Sequence, residues 1–168
     1  MSSVPVKPTL ASPSSATLTR VALDCRLSTA EVLHVLALRD PLPFALTGRW
    51  GRLPAGGAII GSDPLRVAGQ DEDPFDLLDA VPTVAAGEST PSGAVGGGWF
   101  GWLGYRLAAR VERIPLNANR PAALPDFHLA YYDNVLRRDG DGRWWFEALV
   151  SDDRRQALSA RLVAAQDF

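Results

Sequence analysis

Gly96, Gly98 and Gly101 stand at the spacing of a dinucleotide fingerprint, where glycine allows a tight turn and lets a phosphate approach a helix N-terminus. Here they run into Trp99, Phe100, Trp102 and Leu103, a strand-like stretch, whereas the fingerprint opens a helix after a buried strand. Nucleotide binding is set aside on that mismatch. His34, His128 and Cys25 cannot make a zinc set at motif spacing. His34 reads as an exposed or internally bonded helix residue, His128 as a core or edge strand residue, and Cys25 as a small buried hydrophobe. No serine lies in a Gly-x-Ser-x-Gly elbow, so nucleophilic hydrolysis lacks its constellation. Asp71, Glu72, Asp73 and Asp76 offer oxygen ligands for a hard cation, but without calcium-loop spacing they read as solvated charge at a helix start. No residue is assigned a catalytic, cofactor or metal role.

Composition narrows the partners. The chain has 168 residues, of which 46% are hydrophobic, enough for one real core rather than two domains. Its 17 basic and 19 acidic side chains leave a formal charge of -2, which provides no basic field for nucleic acid or anionic lipid. The single cysteine rules out an internal disulfide and fits a reducing cytosol. No stretch reaches the roughly 20 apolar residues that a bilayer span needs, and the N-terminus lacks a signal-peptide core. The expectation is a cytoplasmic protein with no membrane or nucleic-acid partner. Residues 1–18 read as a flexible leader, rich in Ser, Pro and Thr, and residues 19–168 as one domain.

The elements that would position any chemistry follow from pattern. Thr19 to Leu23 alternates as a first strand, and Ser28 with Glu31 forms a capping box for a helix whose core face is Val32, Leu33, Val35, Leu36 and Leu38. Asp40-Pro41-Leu42-Pro43 ends it. Phe44 to Thr47 reads as a strand, and Ala58 to Gly61 with Leu65 to Ala68 as a strand pair around a turn. Asp73-Pro74 starts a helix with Phe75, Leu77, Leu78 and Val81 inward, closed by Pro82. Ala85 to Gly93 reads as a mobile surface loop. Trp99 to Tyr105 reads as a buried strand whose glycines permit close approach of another backbone or ring. A short helix from Arg106 to Arg113 follows, with Leu107, Ala108 and Val111 on one face. After a Pro-rich connector, Phe127 to Leu136 and Arg143 to Val150 flank the turn Asp139-Gly140-Asp141-Gly142. A last helix, capped by Ser151, runs to Gln166 with Leu158, Leu162 and Val163 on one side. These short connections predict an α+β fold, mainly antiparallel β with a few flanking helices.

Five tryptophans need placing. Trp144 and Trp145 are adjacent on a strand and must face opposite sides, so one enters the core and the other covers an edge or meets a partner. Trp99 and Trp102 read as packed strand residues, with a partner surface as the alternative.

The ordered motifs carry a resemblance. Gly97-Gly98-Trp99-Phe100-Gly101-Trp102-Leu103-Gly104-Tyr105, then Arg110-Val111-Glu112-Arg113-Ile114-Pro115, Leu124-Pro125-Asp126 and Tyr132-Asp133-Asn134-Val135-Leu136 are similar to the N-terminal region of chorismate-utilising synthases. These are component I of aminodeoxychorismate synthase and of anthranilate synthase. The match spans about residues 20 to 150, and the compact spacing from Thr47 to Tyr105 resembles the aminodeoxychorismate branch. The resemblance implies an enzyme that, when complete, aminates chorismate to aminodeoxychorismate for para-aminobenzoate and folate, with magnesium and a glutamine amidotransferase subunit, component II. It also implies that the chorismate-binding catalytic half is C-terminal and absent from these residues, so the chain alone is inactive. The anthranilate branch's Leu-Leu-Glu-Ser feedback motif falls on Ala45-Leu46-Thr47-Gly48, which lacks its carboxylate and hydroxyl. Leu46, Thr47, Gly48, Gly98, Gly101 and Tyr105 are the candidate small-molecule pocket. The alternatives are a stand-alone binding or interaction module on the same fold, or the anthranilate branch.

Overall fold

The computed structural model describes residues 15–48, 57–80, 84–85, 93–113, 115 and 124–168. The first part of the expected leader, most of the expected mobile loop, the Pro-rich connector, Val81, Pro82, Ile114 and Trp50 lie outside the described residues.

Nine strands are described: β1 (Ala16–Leu23), β2 (Phe44–Gly48), β3 (Gly57–Gly61), β4 (Arg66–Val67), β5 (Val84–Ala85), β6 (Gly98–Leu103), β7 (Phe127–Tyr132), β8 (Asn134–Arg138) and β9 (Trp144–Val150). The α-helices are α1 (Thr29–Arg39), α2 (Pro74–Asp79), α3 (Ala108–Val111) and α4 (Arg155–Gln166). A six-stranded sheet has the order β2-β3-β8-β9-β1-β5, and a three-stranded sheet the order β4-β7-β6. Among the described residues only the two-residue β1–β5 pairing is parallel. The fold is α+β with mainly antiparallel sheets, as the short connections require.

One face of the large sheet packs under α1 and α4. Along β9 the alternation is strict: Trp144, Phe146 and Ala148 enter this core with Leu23, Ile60, Leu136, Val32, Leu36, Leu158 and Ala165, while Cys25 lies at its margin. Trp144 Nε1 donates to the Leu27 carbonyl at 2.9 Å, so the buried indole keeps a partner. The capping box is present, with Glu31 N–H donating to Ser28 Oγ and Ser28 N–H to Glu31 Oε2 at 2.8 Å. The i, i+4 pair Val32 and Leu36 carries the burial of α1, and Leu38 is turned out to solvent. A second core of Ala68, Leu77, Leu107, Phe127 and Leu129, flanked by Phe75, Leu78 and Trp99, joins α2 to the small sheet.

Several boundaries differ from expectation, each because tertiary pairing overrides local pattern. β1 begins at Ala16, inside the expected leader, since Thr17 and Leu18 find partners in Val150 and Leu149. Ala85 pairs with Thr17. Residues Ala58–Gly61 and Leu65–Ala68 do not pair with each other: β3 joins β8 and β4 joins β7, in different sheets. The expected strand Phe127 to Leu136 is two strands, broken at Asp133, where the chain passes between sheets. β6 is an edge strand, not a buried one, and Trp102 and Leu103 are exposed. Val111 and Val163 face solvent. Ser151 does not cap α4; its hydroxyl donates to Asp153, and the helix starts after Arg154.

Gly101 shows what the glycine spacing is for. Its φ is +153°, and a Cβ there would overlap the carbonyl oxygen of His128 on β7. Gly98, with φ +133°, has open space where its Cβ would be. Gly101→Ala is therefore expected to cost about 3 kcal/mol and Gly98→Ala about 1 kcal/mol in urea unfolding. Equal midpoint shifts for the two variants would show that backbone approach at Gly101 contributes nothing.

Candidate functional site

The six residues of the expected pocket lie on two sheets and a turn. Leu46, Thr47 and Gly48 are exposed on β2, an edge of the large sheet; Gly98 and Gly101 are on β6, an edge of the small one; Tyr105 is 78% exposed in the 3-10 turn Tyr105–Leu107. Their neighbours make the contact between the two edges. The Phe44 ring stacks on Phe100 at 4.5 Å and meets Tyr132 edge-on at 4.9 Å. Aromatic rings fill the space where β2 and β6 approach, and the Tyr132 hydroxyl donates to the Leu42 carbonyl at 2.8 Å.

A small cavity lies on the helical side of the large sheet, lined in part by Leu36, Ile60, Ser62, Asn134, Phe146 and Arg161. Its volume of about 10 Å³ suits one water rather than a substrate. Beside it, Arg161 on α4 donates to Asp40 Oδ2 at 2.9 Å and to the Ser62 carbonyl at 3.1 Å, while Ser62 Oγ donates to the same carboxylate oxygen at 2.6 Å. Burial opposes ionisation of Asp40, but Ser62, Arg39 and Arg161 outweigh it and hold the carboxyl below its ordinary value. This cluster ties α4 to the end of α1.

The opposite face of the large sheet carries a buried charge cluster. Trp145, Glu147 and Leu149 alternate onto it along β9, and in register Arg20 lies opposite Glu147 while Arg137 lies opposite Trp145. Glu147 is fully buried. Its Oε2 accepts from the backbone N–H groups of Val95 at 2.6 Å and Gly96 at 3.3 Å. Its Oε1 faces both Arg137 Nη1 at 3.4 Å and Arg20 Nε at 3.3 Å. Arg137 Nη1 also donates to the Gly93 carbonyl. The Arg20 guanidinium carbon lies 4.0 Å from the Trp145 ring centroid, and Trp145 Nε1 donates to Asp139 Oδ2 at 2.9 Å. Sequence reasoning gave these charges no role. The available signal was period-2 position: Arg20 sits between Thr19 and Val21, and Glu147 between Phe146 and Ala148, so each shares the face opposite the core.

His34 is exposed on α1, and His128 is half-buried on β7 opposite Trp102. Glu72 pairs with Arg66 and accepts from Gly69 N–H, and Asp73 caps α2 through Phe75 N–H while pairing with Arg110. Among the described residues no group of three or more His, Cys, Asp or Glu is placed to hold a metal ion. No described helix is long and apolar enough to cross a membrane. No family model matches the chain, and no curated protein matches it.

Glu147→Gln is expected to destabilise the fold by about 3 kcal/mol in urea, since it leaves two guanidinium groups beside an uncharged amide. Glu31→Gln, at an exposed cap, is expected to shift the urea midpoint far less; a Glu147 variant no worse than that would deny the buried charge a structural role. Because the Asp40 carboxyl is depressed in the folded state, its contribution is whole above the ordinary value of 3.8 and is lost as pH falls through the lower folded value. Arg161→Ala should accordingly flatten the acid limb of the stability–pH profile, and an unchanged limb would refute the linkage.

Proposed function

We propose that these residues form the non-catalytic front portion of a component I chorismate-aminating synthase of the aminodeoxychorismate type. The observation that carries this reading is the order of motifs from Gly97 to Tyr105, Arg110 to Pro115, Leu124 to Asp126 and Tyr132 to Leu136 in one chain. The mainly antiparallel α+β architecture is consistent with it. On this reading the chain is cytoplasmic and works with a chorismate-binding half and a glutamine amidotransferase subunit that delivers ammonia. Magnesium and the acid–base chemistry belong to the chorismate-binding half, and the residues here give that half a rigid support. The exposed Trp102, Leu103 and Tyr105 beside the open edge of β6 favour a second reading, an interaction module on the same fold.

The test is reconstitution with a chorismate-binding half that lacks its own N-terminal region. The chain alone is expected to leave chorismate untouched. Mixing the two should produce aminodeoxychorismate from chorismate and ammonia, dependent on magnesium and followed by chromatography. Turnover by the chain alone would overturn both readings, and no gain on mixing would leave the interaction module.

A further inference from the structure

We propose that Arg20 and Arg137, beside the Trp145 ring, form a binding site for the carboxylate of a small organic ligand. Two guanidinium groups share one carboxylate oxygen on a largely buried part of the sheet. Glu147 cannot serve both arginines well. One of its oxygens is occupied by Val95 and Gly96 N–H, and the other stands 3.3 Å and 3.4 Å from the two guanidinium groups, longer than the roughly 2.7–2.9 Å of a strong charge-assisted bond.

Arg20 supplies the observation that calls for a further acceptor. Its Nε is buried with no hydrogen-bond partner, although Glu147 Oε1 is near. A buried donor without an acceptor is costly, and a second acceptor at this spot removes that cost. The Trp145 ring lies against the Arg20 guanidinium and leaves the in-plane N–H groups as the binding edge. Both described hydrogen bonds of Arg137 leave from Nη1. The row of residues in register with Trp145 continues to Ala22, which is exposed, and to half-buried Ile59 across Arg137, so the site opens along a mostly apolar strip of the sheet. A planar carboxylate on an apolar body matches this arrangement: the fork of Arg20 takes the oxygens, and Trp145 and Ile59 take the body. The inference rests on this geometry alone and is independent of the proposed synthase role.

The experiment is a titration of the full chain with benzoate, and separately with inorganic phosphate, at matched ionic strength. It reads the Arg20 Nε–H and Trp145 Nε1–H signals by nuclear magnetic resonance. Benzoate is expected to move both signals saturably and phosphate to bind more weakly. Arg20→Lys keeps a positive charge near Glu147 but removes the planar fork, and should weaken benzoate about tenfold; Arg137→Lys should do the same. Tighter binding of phosphate than of benzoate would overturn the carboxylate assignment. Shifts that never saturate, or an Arg20→Lys variant with unchanged affinity, would overturn the site itself.

Discussion

The passage of the chain between sheets at Asp133 is the constraint on which the rest of the structure depends. β7 ends at Tyr132 in the small sheet and β8 begins at Asn134 in the large one, so a single residue makes the corner. The carbonyl and the carboxylate of Asp133 are both engaged. The Asp133 carbonyl accepts from Leu149 N–H at 2.8 Å, and its carboxylate accepts from Asn134 Nδ2 and from Arg154 Nε, both at 2.9 Å. Arg154 stands immediately before α4, so the same carboxylate fixes where the last helix leaves the sheet. Gly97 completes the corner, because a side chain there would meet the Tyr132 carbonyl and the Asp133 backbone. Sheet order, helix position and the approach to β6 thus follow from one buried acid and one glycine.

Polar burial then divides the labour between the two faces of the large sheet. The helical face is held by area: Trp144, Phe146 and Ala148 alternate into a core that gains in the usual proportion to apolar surface removed from water. The other face is held by direction. Glu147 accepts two backbone N–H groups and thereby anchors the segment from Gly93 to Gly96, which leads into β6. An apolar residue at 147 would pack but could not choose that register, and Gly96, pressed on Leu18 and Leu149, would have no polar reason to settle there. The charge cluster trades stabilisation for placement.

How far the sequence disclosed this depends on the range of the interaction. Local chemistry was legible: the Ser28–Glu31 box, Asp73 before Pro74, and the Asp139 turn, whose carboxylate accepts from Asp141 and Arg143 N–H, all fold as their residue types demand. The antiparallel α+β class followed from short connections. Sheet membership did not follow, because a four-residue link after Gly61 is compatible with a hairpin or with a change of sheet, and only Tyr131 and Ala130, pairing with Arg66 and Val67, decide it. Burial of β6 was misread for a related reason. A glycine-aromatic run reads as interior, yet an edge strand can bury alternate rings on its neighbours and leave Trp102 and Leu103 outside.

The same distinction governs the candidate chemistry. Residues that advertise function by type and spacing are largely consumed by structure here: Gly101 by the His128 backbone, Asp73 by a helix cap, Asp139 by a hairpin and an indole. Arg20, an arginine inside an apolar strand, advertises nothing yet retains a donor the fold does not use. Spacing motifs report backbone geometry, which many folds need, whereas an unmatched buried donor carries a cost that packing alone does not repay. Unmet buried side-chain hydrogen-bonding capacity among the described residues therefore lies not on β2 or β6 but at Arg20 on β1, on the face of the sheet opposite α1 and α4.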